Sequence, residues 1–95
     1  MIIYKLKAIM TKDISVIKET IKEHILQATF ADKDKIQNDS LIFKEGYFDS
    51  MGFVVLITFL EESFGITTTD EDLIEENFES IDAITSFIIR KTNNQ

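Results

Sequence analysis

Asp49 and Ser50 stand together in "GYFDSMGF", residues 46–53, between a polar, turn-rich stretch and a long apolar run. A serine hydroxyl can attack a substrate, cap a helix or receive a covalent group, and its neighbours decide which. Nucleophilic hydrolysis needs a general base and usually a third group that orients it. The single histidine, His24, lies in a different helical pattern, and "YFDSMGF" is not the G-x-S-x-G turn that exposes a hydrolase serine. His24 reads as a solvated or half-buried structural residue, since no second base or ligand set accompanies it. No catalytic residue is assigned.

Metal binding fares no better. Asp32, Asp34, Ile36 and Asn38 begin with the spacing of a calcium loop, but Gln37 takes the glycine position and Phe43 the position of the closing glutamate. The acidic run from Asp70 has Glu75 and Ile81 at the same two places. Both stretches read as solvated charge, and no metal site is assigned. Two readings of Asp49-Ser50 remain. Either residue can cap a helix by accepting from its free N–H groups. Alternatively, a serine exposed at a helix N-terminus suits covalent modification, because the dipole there tolerates an attached phosphate.

The elements that must present this pair follow from periodicity. Ile14, Ile17, Ile21 and Ile25 recur at three- and four-residue steps and predict a first helix over 13–29, with Thr11 or Asp13 as its cap. Residues 30–49 form a connection long enough to require pinning, and Ile36, Leu41, Phe43 and Phe48 are the expected pins. A second helix over 50–64 shows Phe53, Leu56, Ile57, Leu60 and Phe64 on one face and ends at Gly65. "TTTDEDLIEEN" predicts a short helical turn capped by Thr69 or Asp70, with Leu73, Ile74 and Phe78 closing the core. The last helix starts at Ser80, turns Ile81, Ile84, Phe87 and Ile88 inward, and carries Arg90 and Lys91 at its C-terminal end. Only "YKLKA" alternates like a strand, and it has no partner. The expected fold is therefore all-α: a small four-helix bundle of three longer helices and one short one, with a long loop between the first two.

Composition bounds the function. The 95 residues suffice for one domain, and 44% hydrophobic content is too high for a disordered chain. There is no cysteine, which excludes disulfides and fits a reducing cytoplasm. Residues 1–48 hold eight lysines against seven acids, whereas residues 49–95 set Arg90 and Lys91 against ten acids, a local charge of −8. Such a carboxylate-rich half repels nucleic acid and suits basic surfaces on partner proteins. No stretch is long enough to span a membrane. Residues 1–11 are expected to be a tail or extension, 12–91 the domain, and 92–95 a frayed end.

"FKEGYFDSMGFVVLITFLEESFGI", residues 43–66, resembles the centre of acyl carrier proteins. "DEDLIEENFESIDAITSFI" resembles their third and fourth helices, and the likeness covers about residues 12–91. The Asp-Ser pair is joined at the expected distances by "LEESFGI" and "NFESIDAI". The resemblance implies a bundle of acyl-carrier type with 4′-phosphopantetheine attached to Ser50. Asp49 then helps a phosphopantetheinyl transferase, with its magnesium ion, to engage the serine. It further implies a cytoplasmic, monomeric carrier, not an enzyme, that holds an acyl or aminoacyl group as a thioester, in fatty acid biosynthesis or another acyl pathway. Its partners would be that transferase, a loading ligase, and acyltransferase or synthase enzymes. Met51, Val55, Thr58, Glu61, Glu62, Asp70 and Asp72 are the expected partner-facing residues. The loop departs from the fatty-acid type, since "EGYFDSM" replaces L-G-x-D-S-L, and Gly46 and Gly52 resemble the F-x-E-G-x-x-D-S-x-G pattern of D-alanyl carrier proteins. An aminoacyl carrier, or a helical interaction module without the arm, are the alternatives.

Overall fold

The computed structural model describes residues 13–93, all of whose regular structure is helical. The expected tail at 1–11, the "YKLKA" alternation, Thr11 as a cap, the domain start at 12 and the last two residues of the frayed end lie outside the described residues. Asp13 opens α1, Ile14–Thr29, by accepting from the Ser15 N–H at 2.8 Å. Ile17, Ile21 and Ile25 are buried as the periodicity requires, whereas Ile14, in the uncovered first turn, is 55% exposed. α1 ends at Phe30, a non-glycine residue in the left-handed region whose ring lies in solvent.

α2, Ser50–Phe64, buries Leu56, Leu60 and Phe64 and closes on Gly65 at φ 66°. A 3₁₀ turn, Asp70–Asp72, leads to the four-residue α3, Glu75–Phe78. α4, Ile81–Asn93, starts where the Ser80 hydroxyl accepts from the Ala83 N–H at 3.1 Å, and it continues two residues beyond the expected end of the domain. α1 and α3 pack on α4, and α2 leans on α1 and α4. The core is a single cluster in which α4 supplies Ile81, Ile84, Phe87 and Ile88. The architecture is thus the expected one, three longer helices and one short.

Two expectations about packing need correction. Leu41, one of the four expected pins of the long loop, is only partly buried, whereas its neighbour Ile42, not among them, is fully buried, as is Ile36. Leu73 and Ile74 do not close the bundle with Phe78. They are 40% and 47% exposed, while Phe78 has no exposed surface. The reason is geometric: α3 begins only at Glu75, so the two residues before it, Leu73 closing the 3₁₀ turn and Ile74 in extended backbone, lie outside the helix that delivers Phe78 to the core.

Phe78 meets Phe53 and Phe87 edge-on, with ring centroids 5.4 and 4.9 Å apart. Truncation would leave a cavity between two rings that cannot collapse together, so Phe78→Ala is expected to cost ~3–5 kcal/mol in denaturant unfolding. His24 supplies a pH test. Its ring stacks on Phe59 at 4.1 Å and its Nε2 is buried without a partner, and this burial holds the imidazole below its ordinary value of 6.5. Below pH 6.5 the unfolded chain binds a proton that the folded protein refuses, so stability falls as pH drops through that window and levels off above it. Thermal melts of wild type between pH 7 and 5 should show this slope, and His24→Phe should reduce it.

Candidate functional site

The site begins with how α2 is capped. Asp49 sits in extended backbone and its carboxylate accepts from the Gly52 N–H at 2.9 Å. Capping is therefore done by Asp49, and the Ser50 side chain is not needed for it. Ser50 is exposed, and its hydroxyl has no hydrogen bond among the described residues. The free N–H groups and positive dipole end of a 15-residue helix lie beside that hydroxyl.

The loop ahead of the pair is fixed by backbone bonds that converge on Ile42. Its N–H donates to the Glu79 carbonyl at 2.9 Å, and its own carbonyl accepts from Tyr47 and Phe48 at 2.9 and 3.1 Å. Gly46, at φ 85°, allows the chain to reverse between them. The Asp82 N–H donates to the Asn38 carbonyl at 2.9 Å, tying an earlier part of the loop to the first turn of α4. Gly52 has a separate reason to lack a side chain, because a Cβ there would stand 3.3 Å from the Phe48 ring. That close approach seats the start of α2 on the buried loop residue.

Two cavities flank the pair. The larger, about 670 Å³, has Ser50 and Asp49 in its wall and is otherwise mainly apolar, built from Phe43, Phe53, Phe78, Val54, Leu73 and Ile74 with Lys44 and Glu75 at its polar edges. Its floor is aromatic: Phe43 and Phe53 meet edge-on at 5.7 Å, and Phe53 and Phe78 at 5.4 Å. The smaller, about 510 Å³, lies on the other side of Asp49 and is bounded by Ala28, Tyr47, Phe48, Met51, Gly52 and Val55. Met51 and Val55 are 70% and 47% exposed.

The remaining expected partner-facing residues are spread over two elements. Thr58 is exposed on α2, its hydroxyl donating to the Val54 carbonyl. Glu62 and Asp70 are exposed. Glu61 accepts from the Thr68 N–H and hydroxyl at 2.9 and 2.8 Å, which holds its carboxyl below the usual range. Asp72 accepts from Lys91 at 2.8 Å and from the Thr69 N–H at 2.9 Å, and the lysine contact is the larger cause of its lowered pKa. Sequence reasoning missed the apolar wall made by Leu73 and Ile74, which it had assigned to the core.

No family model and no solved structure matches the chain. The curated acyl carrier protein of Buchnera aphidicola subsp. Baizongia pistaciae (strain Bp) is 38% identical to it over 72 residues, a stretch that covers 76% of this chain and 90% of that protein. That likeness extends well beyond the serine and runs along most of the helical frame that presents it, and on this ground the chain belongs to the acyl carrier protein family.

Proposed function

We propose that the protein carries an acyl or aminoacyl group on a 4′-phosphopantetheine arm attached through Ser50, and hands that group to partner enzymes without catalysing a reaction itself. One observation carries the reading: Asp49 performs the capping, so Ser50 is left exposed with an unbonded hydroxyl at the wall of an apolar groove. The residues present fit the arm. A phosphodiester on Ser50 would lie against the positive end of α2, and the groove lies within immediate reach of it. When attached, the arm supplies flexible reach and a thiol that holds the cargo as a thioester. The chain's own contribution is presentation. Asp49 fixes the helix start, the Gly52–Phe48 approach seats it on the loop, and Phe43, Phe53 and Phe78 form an aromatic floor over which an apolar cargo can lie.

The groove's polar edge mixes signs, Asp49 and Glu75 with Lys44, and suits either an acyl or an aminoacyl cargo. Comparing loading by adenylating ligases for amino acids with loading by fatty acyl ligases would separate the two cargoes.

Partner recognition follows from the charge distribution around Ser50. From Ser50 to Leu60, α2 carries no charged residue, and Met51 and Val55 are exposed. The partner enzyme therefore meets an apolar contact at Met51, Val55 and Thr58. Glu61, Glu62, Asp70 and Asp72 give the more distant negative field that steers a basic partner surface.

Two experiments test these statements. Co-expression with a phosphopantetheinyl transferase should add the mass of one phosphopantetheine to the wild type and nothing to Ser50→Ala, with equal helical circular dichroism; a modified Ala variant would show the site to be elsewhere. Val55→Glu should accept the arm normally yet lower the rate of group transfer to the cognate enzyme. Equal or faster transfer would make Val55 a bystander.

A further inference from the structure

The groove beside Ser50 has an unusual outer wall. Leu73 and Ile74 form it, yet neither is anchored in the core. Backbone bonds in this segment are local: Leu73 N–H to the Asp70 carbonyl at 3.2 Å, Ile74 N–H to the Asp72 carbonyl at 2.9 Å, and Asn77 N–H to the Ile74 carbonyl at 3.1 Å. Phe78 anchors the far end of α3 in the core, and the other ties between the wall and the helices are polar. On its α4 side, Lys91 donates to the Asp72 carboxylate at 2.8 Å and Arg90 donates to the Asn77 side-chain oxygen at 2.8 Å. The Asn77 amide in turn donates to the Asp72 carbonyl at 2.8 Å, so the two ties are cross-linked. On its α2 side, Thr68 is held by Glu61. Leu73 and Ile74 thus lie between Asp72 and Asn77, the two residues gripped by consecutive side chains at the end of α4.

We propose that Lys91 and Arg90 are positioning residues for the carried group: through Asp72 and Asn77 they form a latch that sets the Leu73–Ile74 wall against the group borne by Ser50. This rests on the carrier reading given above. The physical basis is that the ion pair is partly solvated, with about a fifth of each side chain exposed, and such pairs are individually weak. A wall held by weak, salt-sensitive ties can close over a small group and yield when a partner enzyme withdraws it. The aromatic floor, joined by edge contacts into the core, has no comparable freedom.

The test uses the whole protein with a hexanoyl arm installed by a transferase from hexanoyl-coenzyme A. Hydroxylamine cleaves the thioester to a hydroxamate and the arm's free thiol, and the rate reports how far the wall shields it. Lys91→Gln should raise that rate by about 1.5- to 5-fold, the shift that loss of one partly solvated pair can supply. Lys91→Arg should restore it, and added salt should raise the wild-type rate but not that of Lys91→Gln. Ile74→Ser, which removes the wall itself, should raise the rate at least as much. In the protein without its arm, Lys91→Gln should speed amide hydrogen exchange at Leu73 and Ile74 while leaving Leu60 and Ile84 protected. An unchanged cleavage rate in Lys91→Gln beside a raised rate in Ile74→Ser would overturn the latch but keep the groove. Unchanged rates in both would overturn the wall's role as well. Failure of the wild type to take up the arm would defeat the carrier reading and the latch together.

Discussion

The placement of Ser50 depends on the backbone of one buried residue. Ile42 uses both of its peptide groups to organise the long connection: its N–H reaches forward to the α3–α4 junction at Glu79, and its carbonyl collects Tyr47 and Phe48. With its side chain fully buried, these bonds are shielded from competing water. A twenty-residue connection without regular structure would ordinarily wander. Here the segment from Ile42 to Phe48 becomes a rigid bracket that delivers Asp49 to the start of α2. Remove that bracket and the serine still heads a helix, but its position relative to the groove is no longer defined.

This arrangement explains which parts of the molecule are legible in the sequence. The three longer helices are, because they carry local instructions: Asp13, Asp49 and Ser80 as side-chain caps, Gly65 as the left-handed terminator, and isoleucines at helical steps. The identity of the capping residue is not legible. "DS" offers two candidates for one task, and only the bond from Gly52 to Asp49 shows that the serine is spare. The loop pins are equally ambiguous. In "LIF" three apolar residues follow each other without a period, so nothing local distinguishes Ile42 from Leu41 or Phe43. The misjudged burial of Leu73 and Ile74 has a related cause. Hydrophobicity says that a residue prefers to leave water, but not that the chain geometry will allow it. Two apolar residues placed just ahead of a four-residue helix cannot follow Phe78 inward.

Gly52 shows how one position answers to two constraints. By resemblance it belongs to the F-x-E-G-x-x-D-S-x-G pattern of D-alanyl carrier proteins, which invites a reading in terms of cargo. The structure supplies a packing reason, since a Cβ there would stand 3.3 Å from the Phe48 ring, closer than ordinary van der Waals contact. A large aromatic residue immediately before Asp49 and a glycine at the third residue of α2 are complementary choices. The neutral character of this end of the helix is then partly a consequence of how the loop is seated.

The acid-rich half divides its charge in the same way. Glu61 and Asp72 are turned to internal use, each accepting two hydrogen bonds that fasten the segment between α2 and α3. Glu62, Asp70, Glu71, Glu75 and Glu76 face solvent. A formal charge of −8 in that half therefore overstates what a partner meets at close range, because some carboxylates already have donors. Arg90 and Lys91, the half's only cations, are both committed to this segment. Their position at the end of α4 suits the helix dipole, but their reach makes them more than dipole partners. They bind the most acidic stretch of the chain to the bundle without burying it, and so keep its two apolar residues facing the serine.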